Sequence, residues 1–138
     1  EWFYTKNGEA SFKLNSPKMF RFEGEEPYLE FPSGISLQSF QEKGEKDSYL
    51  KADYAIKYLE DKIIEAKGSV LLQNIDGDKL ETEFLIWDEA NELIFTEEFV
   101  KITKGQQVIM GEGFESDIYF TEYTLKKSKG ILNIEDAE

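Results

Sequence analysis

Residues 80 to 87 read Leu-Glu-Thr-Glu-Phe-Leu-Ile-Trp, and this stretch decides the predicted fold. Apolar and polar residues alternate at its start, while aromatic and aliphatic residues fill its end, a combination that is typical of a β-strand. An ungapped shift of 30 residues aligns the stretch with residues 50 to 57. Tyr54 then matches Phe84 and Ile56 matches Ile86, so the earlier segment is predicted to be a strand as well.

The same shift continues past the next turn, where Ile64 matches Ile94 and Val70 matches Val100. A shift of 29 extends the match, less regularly, to residues 109 to 112. A fixed period of this length indicates strand-turn-strand units that stack because a single unit cannot bury its own apolar face. The sequence therefore predicts an all-β fold built from repeats of about 30 residues, with residues 1 to 138 as a single domain.

Residues 48 to 66 also suit a helix, because Ala, Lys, Leu and Glu are frequent in this segment. Its match to the second copy favours the strand. Leu85 and Trp87 add bulk on the side predicted to be polar, and we interpret them as a second contact surface or a curled sheet rather than a binding patch. The even-numbered positions of both copies are predicted to form the buried face: Leu50, Ala52, Tyr54, Ile56, Leu80, Thr82, Phe84 and Ile86.

Turn-forming residues separate the predicted strands. Asp76-Gly77-Asp78 predicts a hairpin turn, since the other ligands of a calcium-binding loop are missing around it. Gly111 and Gly113 predict a bulge or a change of register, since the third glycine and the strand-to-helix context of a phosphate-binding loop are missing. Neither motif therefore indicates a metal or a cofactor.

The composition removes most catalytic and nucleic-acid chemistry. The 138 residues include no Cys and no His, which excludes thiol nucleophiles, imidazole bases and nearly all zinc sites. A net charge of −13 repels a phosphate backbone, so we expect no nucleic-acid partner. With 29 Asp and Glu residues, carboxylate pairs are uninformative, and none stands in the apolar context that a general acid needs. We expect no enzyme, no cofactor and no metal, and the longest apolar run, Phe84 to Trp87, is too short to span a membrane.

A local cluster of basic residues lies in the C-terminal third of the chain. We interpret this cluster as a solubilising face, with contact to an anionic head group as the alternative. Its members are Lys101, Lys104, Lys126, Lys127 and Lys129.

Several segments, in a fixed order, resemble the repeat unit of the OstA/LptC/LptA proteins of lipopolysaccharide export. The unit runs from Glu65 to Asn74, through Asp76-Gly77, and on from Leu80 to Asp88. A second block, with Phe95-Thr96, Val100-Lys101-Ile102 and Gly111 to Asp117, is similar to the part of LptC that follows this unit. The resemblance covers about residues 33 to 134, and Pro32-Ser33-Gly34-Ile35 fits the lead-in of Bacteroidetes-type LptC members.

The resemblance implies a twisted, open β-jelly roll whose apolar interior carries the acyl chains of lipid A. It implies a periplasmic protein that takes lipopolysaccharide from the LptB/LptF/LptG transporter and passes it to an LptA-like bridge by edge-to-edge strand pairing. A tether to the inner membrane is expected upstream of Glu1, which is not a Met. An acidic, β-rich structural or adhesion module that binds only protein is the alternative function.

Two sets of candidate residues follow. The edge strand that meets the partner is predicted near the C-terminus, where acidic residues just beyond it disfavour pairing between copies, with an edge-strand homo-oligomer as the alternative: Ile131, Leu132, Asn133 and Ile134. The lipid groove is predicted along one apolar face, with an ordinary sealed core as the alternative: Tyr54, Ile56, Val70, Leu72, Phe84, Ile86, Val100, Ile102 and Phe114.

Overall fold

The computed structural model describes residues 2–7, 10–40 and 46–133. Within these residues the chain forms strands and turns and no helix, which confirms the all-β prediction and the strand assignment for residues 48 to 66. The strands of this described part are β1 (Trp2–Asn7), β2 (Ala10–Asn15), β3 (Phe20–Phe22), β4 (Tyr28–Phe31), β5 (Ile35–Phe40), β6 (Lys46–Ala52), β7 (Tyr54–Tyr58), β8 (Ile63–Asn74), β9 (Lys79–Asp88), β10 (Leu93–Lys104), β11 (Gln107–Asp117) and β12 (Tyr123–Asn133).

All of these strands join one open antiparallel sheet in the order β1-β2-β5-β6-β8-β9-β10-β11-β12, with β3, β4 and β7 on a branch. The branch point is β8, which pairs with β7 through residues 63–67 and with β6 through residues 71–74. The sheet therefore has two leaves that share the long strands β8 to β12. Leaf A comprises β1, β2, β5 and β6 with residues 70–74, 79–82, 100–104, 107–111 and 128–133. Leaf B comprises β3, β4 and β7 with residues 63–67, 84–88, 93–96, 113–117 and 123–127.

A line of irregularities across the middle of the long strands, which we call the crease, separates the leaves. The β8–β9 register shifts between Lys67 and Val70, where Gly68 (φ 80°) and Ser69 (φ 45°) have left-handed backbone. Asp53 interrupts β6 and β7 on the same line, and its N–H donates to the Gly68 carbonyl at 2.9 Å. An extra residue in one strand bends that strand and sharpens its twist, so these bulges fold the sheet on itself.

The crease continues through the remaining long strands. In β10 the register with β11 shifts between Thr96 and Phe99, and the register between β11 and β12 shifts at Met110 and Gly111. The second shift confirms the irregularity predicted around Gly111 and Gly113. A Cβ at Gly111 would lie only 2.7 Å from the Lys127 carbonyl oxygen, so the close approach of β12 there requires a glycine.

Because of the crease, the predicted buried face of the repeat is wrong for the residues that follow the crease. In β9 the buried positions are Leu80 and Thr82 before the crease and Leu85 and Trp87 after it, so the alternation changes from even to odd numbers. Phe84 and Ile86 consequently lie on the outer face of leaf B. The same change occurs at Asp53, after which Ala55 is buried and the flanking residues, Tyr54 and Ile56, are only half-buried.

The interpretation of Leu85 and Trp87 as part of a curled sheet fits this folding of the sheet on itself, whereas their placement on a polar side or on a second contact surface is wrong. Both side chains are fully buried in the core between the two leaves. The bulges in β8 and β10 on either side of β9 shift the register and bring these side chains to the inner face. The offset pair Ile64 and Ile94 is buried on that face as predicted, whereas Tyr54 and Phe84 share the outer face.

Three contacts join the ends of the leaves that lie away from the crease. Phe12 of leaf A packs against Trp87 of leaf B edge to face, with ring centroids 5.9 Å apart. The Ser48 hydroxyl donates to the Ile118 carbonyl at 2.7 Å and lies 2.6 Å from the Ser39 hydroxyl. The third contact runs from the side-chain amide of Asn74, which donates to the Phe120 carbonyl at 2.8 Å. We call this set of contacts the clasp.

We expect the Ser48→Ala substitution to lower the free energy of unfolding by about 1–3 kcal/mol, because it leaves the buried Ile118 carbonyl without its donor. The control is Ser116→Ala, since Ser116 is equally buried at 3% exposure but its hydroxyl bonds only to the adjacent Asp117. Urea denaturation measures both effects. Equal losses in the two variants would show that the contact between the leaves contributes nothing of its own.

Candidate functional site

The interior between the leaves contains five of the nine predicted groove residues. Each of them is at most 1% exposed, so the interior is sealed. Four belong to leaf A and the fifth, Phe114, packs in leaf B against Phe120 and Tyr123, with ring centroids 5.7 and 5.9 Å away. The interior members are Val70, Leu72, Val100, Ile102 and Phe114.

The other four predicted groove residues lie on the outer face of leaf B and are half-buried. Lys67 stands between two of them in the register, paired with Tyr54 on one side and with Phe84 on the other, and its ammonium lies 5.9 Å from the Phe84 ring centre. The predicted groove residues therefore lie on two faces of the sheet and do not line a single groove. The outer members are Tyr54, Ile56, Phe84 and Ile86.

The outer face of leaf B is unusually aromatic. Phe22 stacks on Tyr28 with ring centres 4.8 Å apart, and Tyr28 contacts Tyr58 at 6.2 Å. Phe20 and Phe22 on the short edge strand β3 are exposed. The charged residues Glu30, Glu65 and Lys67 stand between these aromatic residues and their aliphatic neighbours on the same face.

Trp87 and Lys57 bring polar groups to the inner face of leaf B, in addition to the buried hydroxyls of Thr96 and Ser116. The Trp87 side chain is fully buried, and its indole Nε1 has no hydrogen-bond partner among the described residues. Lys57 forms an ion pair with Glu89, with 3.1 Å between Nζ and Oε1 and only 12% and 5% of the two side chains exposed. The sequence pattern indicates neither group: Trp87 stands out only as a departure from alternation, and Lys57 has an odd number and so falls outside the positions predicted to be buried.

A family model described as "Lipopolysaccharide-assembly, LptC-related" matches residues 3–132. The chain belongs to this LptC-related family. The predicted family is thereby confirmed, whereas the Bacteroidetes type stays a prediction. A search of curated proteins finds no match to the chain.

Membership in the LptC family gives the protein a role in lipopolysaccharide transport and cell-envelope biogenesis. The family acts as a periplasmic transport and bridging component rather than as a known group of enzymes. In the described part of the chain, no group of three or more acidic, His or Cys side chains is arranged to hold a metal ion. No helix long and apolar enough to cross a membrane occurs in the residues that the structure describes.

The predicted edge strand of this LptC-family protein is the second half of β12, which is the last strand of the sheet path. Ile131 pairs with Ile109, and Leu132 pairs with Val108. Ile131 and Leu132 are 64% and 42% exposed. Asn133 ends β12, and Ile134 lies outside the described residues.

The predicted basic cluster lies partly on β12, where two of its lysines are paired with acidic residues of neighbouring strands. Lys126 forms an exposed ion pair with Glu97, and Nζ of Lys129 lies 3.5 Å from Oε1 of Glu112. Lys101, on the outer face of β10, lines an open cleft of about 580 Å³ next to the crease together with Glu81. These surroundings fit a solubilising face better than an anion site.

A hydrogen bond from the Tyr54 hydroxyl to Glu30, 2.5 Å long, dominates the electrostatics of the outer face. This bond, together with burial and the negative charge of Glu30, raises the pKa of Tyr54 to about 12 from 10.0. Protonated Tyr54 therefore stabilises the folded state below pH 10, and this contribution is lost as the pH rises toward about 12.

We expect the Glu30→Gln substitution to lower the pKa of Tyr54 toward 10, because it removes the charged acceptor. An ultraviolet titration of the phenolates, with Tyr54→Phe to assign the high-pH step, measures the change. Glu65→Gln is the matched control on the same face, since Glu65 acts on the pKa of Tyr58 instead. A Tyr54 pKa that stays near 12 in Glu30→Gln would contradict this assignment.

Proposed function

We propose that this protein carries the acyl chains of lipid A between leaf A and leaf B, in the periplasm and tethered to the inner membrane. It takes lipopolysaccharide from the LptB/LptF/LptG transporter and passes it to an LptA-like partner. The observation that carries this proposal is the apolar interior of an open, unclosed sheet in a chain of the LptC family. The five interior residues named above are the proposed lipid contacts.

Burial of acyl chains supplies the driving force. Each methylene removed from water contributes about 0.8 kcal/mol, so one chain with a dozen methylenes gains on the order of 10 kcal/mol. The net charge of −13 opposes a phosphorylated ligand, but this repulsion is screened over roughly 10 Å at moderate salt. Acyl burial is therefore the larger of the two effects.

Entry of lipid requires the leaves to separate, because the five interior residues are sealed. The clasp consists of one aromatic pair and a few hydrogen bonds, whereas the crease is continuous with the backbone ladder. We propose that the leaves part at the clasp and bend at the crease. The acyl chains then replace the contacts that each leaf makes with the other.

We expect a benzoylphenylalanine photo-crosslinker at Phe114 to capture lipopolysaccharide in cells, because Phe114 lies in the interior. Phe84 is the matched control, since the same aromatic replacement there stands on the outer face of leaf B. Immunoblotting for lipopolysaccharide after irradiation measures the capture. Capture at Phe84 with none at Phe114 would place the lipid on the outer face and contradict the proposed interior carrier.

The alternative function, a module that binds only protein, is favoured by one observation. The exposed Phe20 and Phe22 continue the aromatic outer face of leaf B to its edge, where another protein could cover them. Under this alternative, Phe114 captures no lipid and Phe84 captures protein. The crosslinking experiment therefore separates the two functions.

We propose that the junction with the LptA-like partner forms at the second half of β12. β12 pairs with β11 on one side, and the sheet path of the described residues ends there, so none of these residues occupies its other edge, which we propose for strand addition. Lys126, Lys127 and Lys129 occupy the first part of the strand, and lysines on an edge discourage pairing. Ile131 and Leu132 follow these lysines and offer an exposed apolar edge.

We expect Ile131→Glu to weaken binding of the LptA-like partner at least tenfold, because it places a charge in the apolar part of the junction. Thr124→Glu makes the same charge change at an exposed position in the first half of β12 and serves as the control. Surface plasmon resonance measures binding, and thermal melting checks that both variants stay folded. Equal binding by Ile131→Glu and the unmodified protein would place the junction at another edge.

A further inference from the structure

We propose that the indole N–H of Trp87 donates a hydrogen bond to a carbonyl oxygen of an ester- or amide-linked acyl chain bound between the leaves. The inference rests on the proposed function and deepens it, since it assigns the polar end of the ligand to a position in the interior. The indole Nε1 of Trp87 is a buried donor that the described residues leave unpaired.

Buried N–H groups in folded proteins nearly always have an acceptor, and an unpaired one is costly. Trp87 is fully buried, and Nε1 has no hydrogen-bond partner among the described residues. The ring that packs on it from leaf A is Phe12, at an interplanar angle of 84°. An aromatic ring is a much weaker acceptor than a carbonyl oxygen, so Phe12 leaves most of the hydrogen-bonding capacity of Trp87 unused.

The position of Trp87 suits the end of an acyl chain. Trp87 is next to the last residue of β9 and belongs to the clasp, far from the crease. When the leaves part, Phe12 moves away and the indole faces the opening. An acyl chain whose carbonyl stays at Trp87 would extend its methylenes toward the crease, where Val70 and Val100 line leaf A.

The surroundings of Trp87 favour a neutral carbonyl over a phosphate. The register pairs Lys57 with Ile64 and Ile64 with Trp87, which places Lys57 two strands away, at about 10 Å. Its ammonium is already paired with the Glu89 carboxylate. A phosphate here would meet that carboxylate without a free cation, whereas a carbonyl oxygen needs only the single donor that an indole provides.

The test compares two lipids with saturated 14-carbon chains, 1-monomyristoylglycerol with an ester carbonyl as the first chain carbon and 1-O-tetradecylglycerol with an ether-linked methylene in its place. Isothermal titration calorimetry below the aggregation concentration of each lipid measures both affinities with the unmodified protein. We expect the ester to bind about tenfold more tightly, as one satisfied buried hydrogen bond predicts. Trp87→Phe keeps an aromatic ring without the N–H, and the two lipids should bind it equally.

Each alternative result is distinct. Equal binding of both lipids by the unmodified protein overturns the role of Trp87 but leaves acyl burial intact, and this comparison needs no folded variant. An ester preference that persists in Trp87→Phe assigns the carbonyl to another donor and also overturns the inference. Failure of both lipids to bind counts instead against the proposed function. Ether-linked lysophosphatidic acid is the third probe, and a loss of its binding in Trp87→Phe would make phosphate the acceptor and refute the carbonyl assignment.

Discussion

The crease is the constraint on which the rest of the structure depends. Strands as long as β8 and β10, with 12 residues each, would make a flat sheet with one face exposed, because the described chain has no helix to cover it. The bulges at Gly68 and Ser69 and beyond Thr96 let the same strands contribute to both leaves. One sheet then supplies both walls of its own core, and the core is continuous with the space proposed for the ligand.

The two ways in which the leaves are joined differ in strength. At the crease they share covalent backbone and ladder hydrogen bonds, whereas at the clasp they meet through side chains such as Phe12, Ser48 and Asn74. Side-chain contacts of this kind contribute a few kcal/mol in total, which is comparable with the gain from burying a few methylenes. Under the proposed function, acyl chains would replace the apolar contacts of the core between the leaves as well as the clasp, and Trp87, at the clasp, is the group whose hydrogen bonding would improve on exchange.

The sequence predicted the strands because a repeat near 30 residues survives small irregularities, and the order of the segments led to the LptC family. It did not predict which face each residue occupies beyond a bulge. In Phe84-Leu85-Ile86-Trp87 every position is apolar, so alternation carries no information about the face, and one extra residue in a neighbouring strand moves Leu85 and Trp87 into the core. For the same reason the candidate groove residues are divided between two faces: Val70 and Phe114 lie inside, whereas Tyr54 and Phe84 lie outside. The ion pair of Lys57 and Glu89 depends on packing between a strand and a distant turn, and no local pattern encodes it.

An open sheet must offer an edge to its partner without offering it to copies of itself. The net charge of −13 makes every copy repel every other at long range, so unspecific pairing is disfavoured before edges meet. Lysines on the first part of β12 then protect most of that edge at short range, while Ile131 and Leu132 stay unprotected. A partner that is less acidic would not be repelled at long range. It would pair with the edge at Ile131 and Leu132, beyond the lysines. The composition from which we expect no nucleic-acid partner would thus also make the proposed junction at β12 selective.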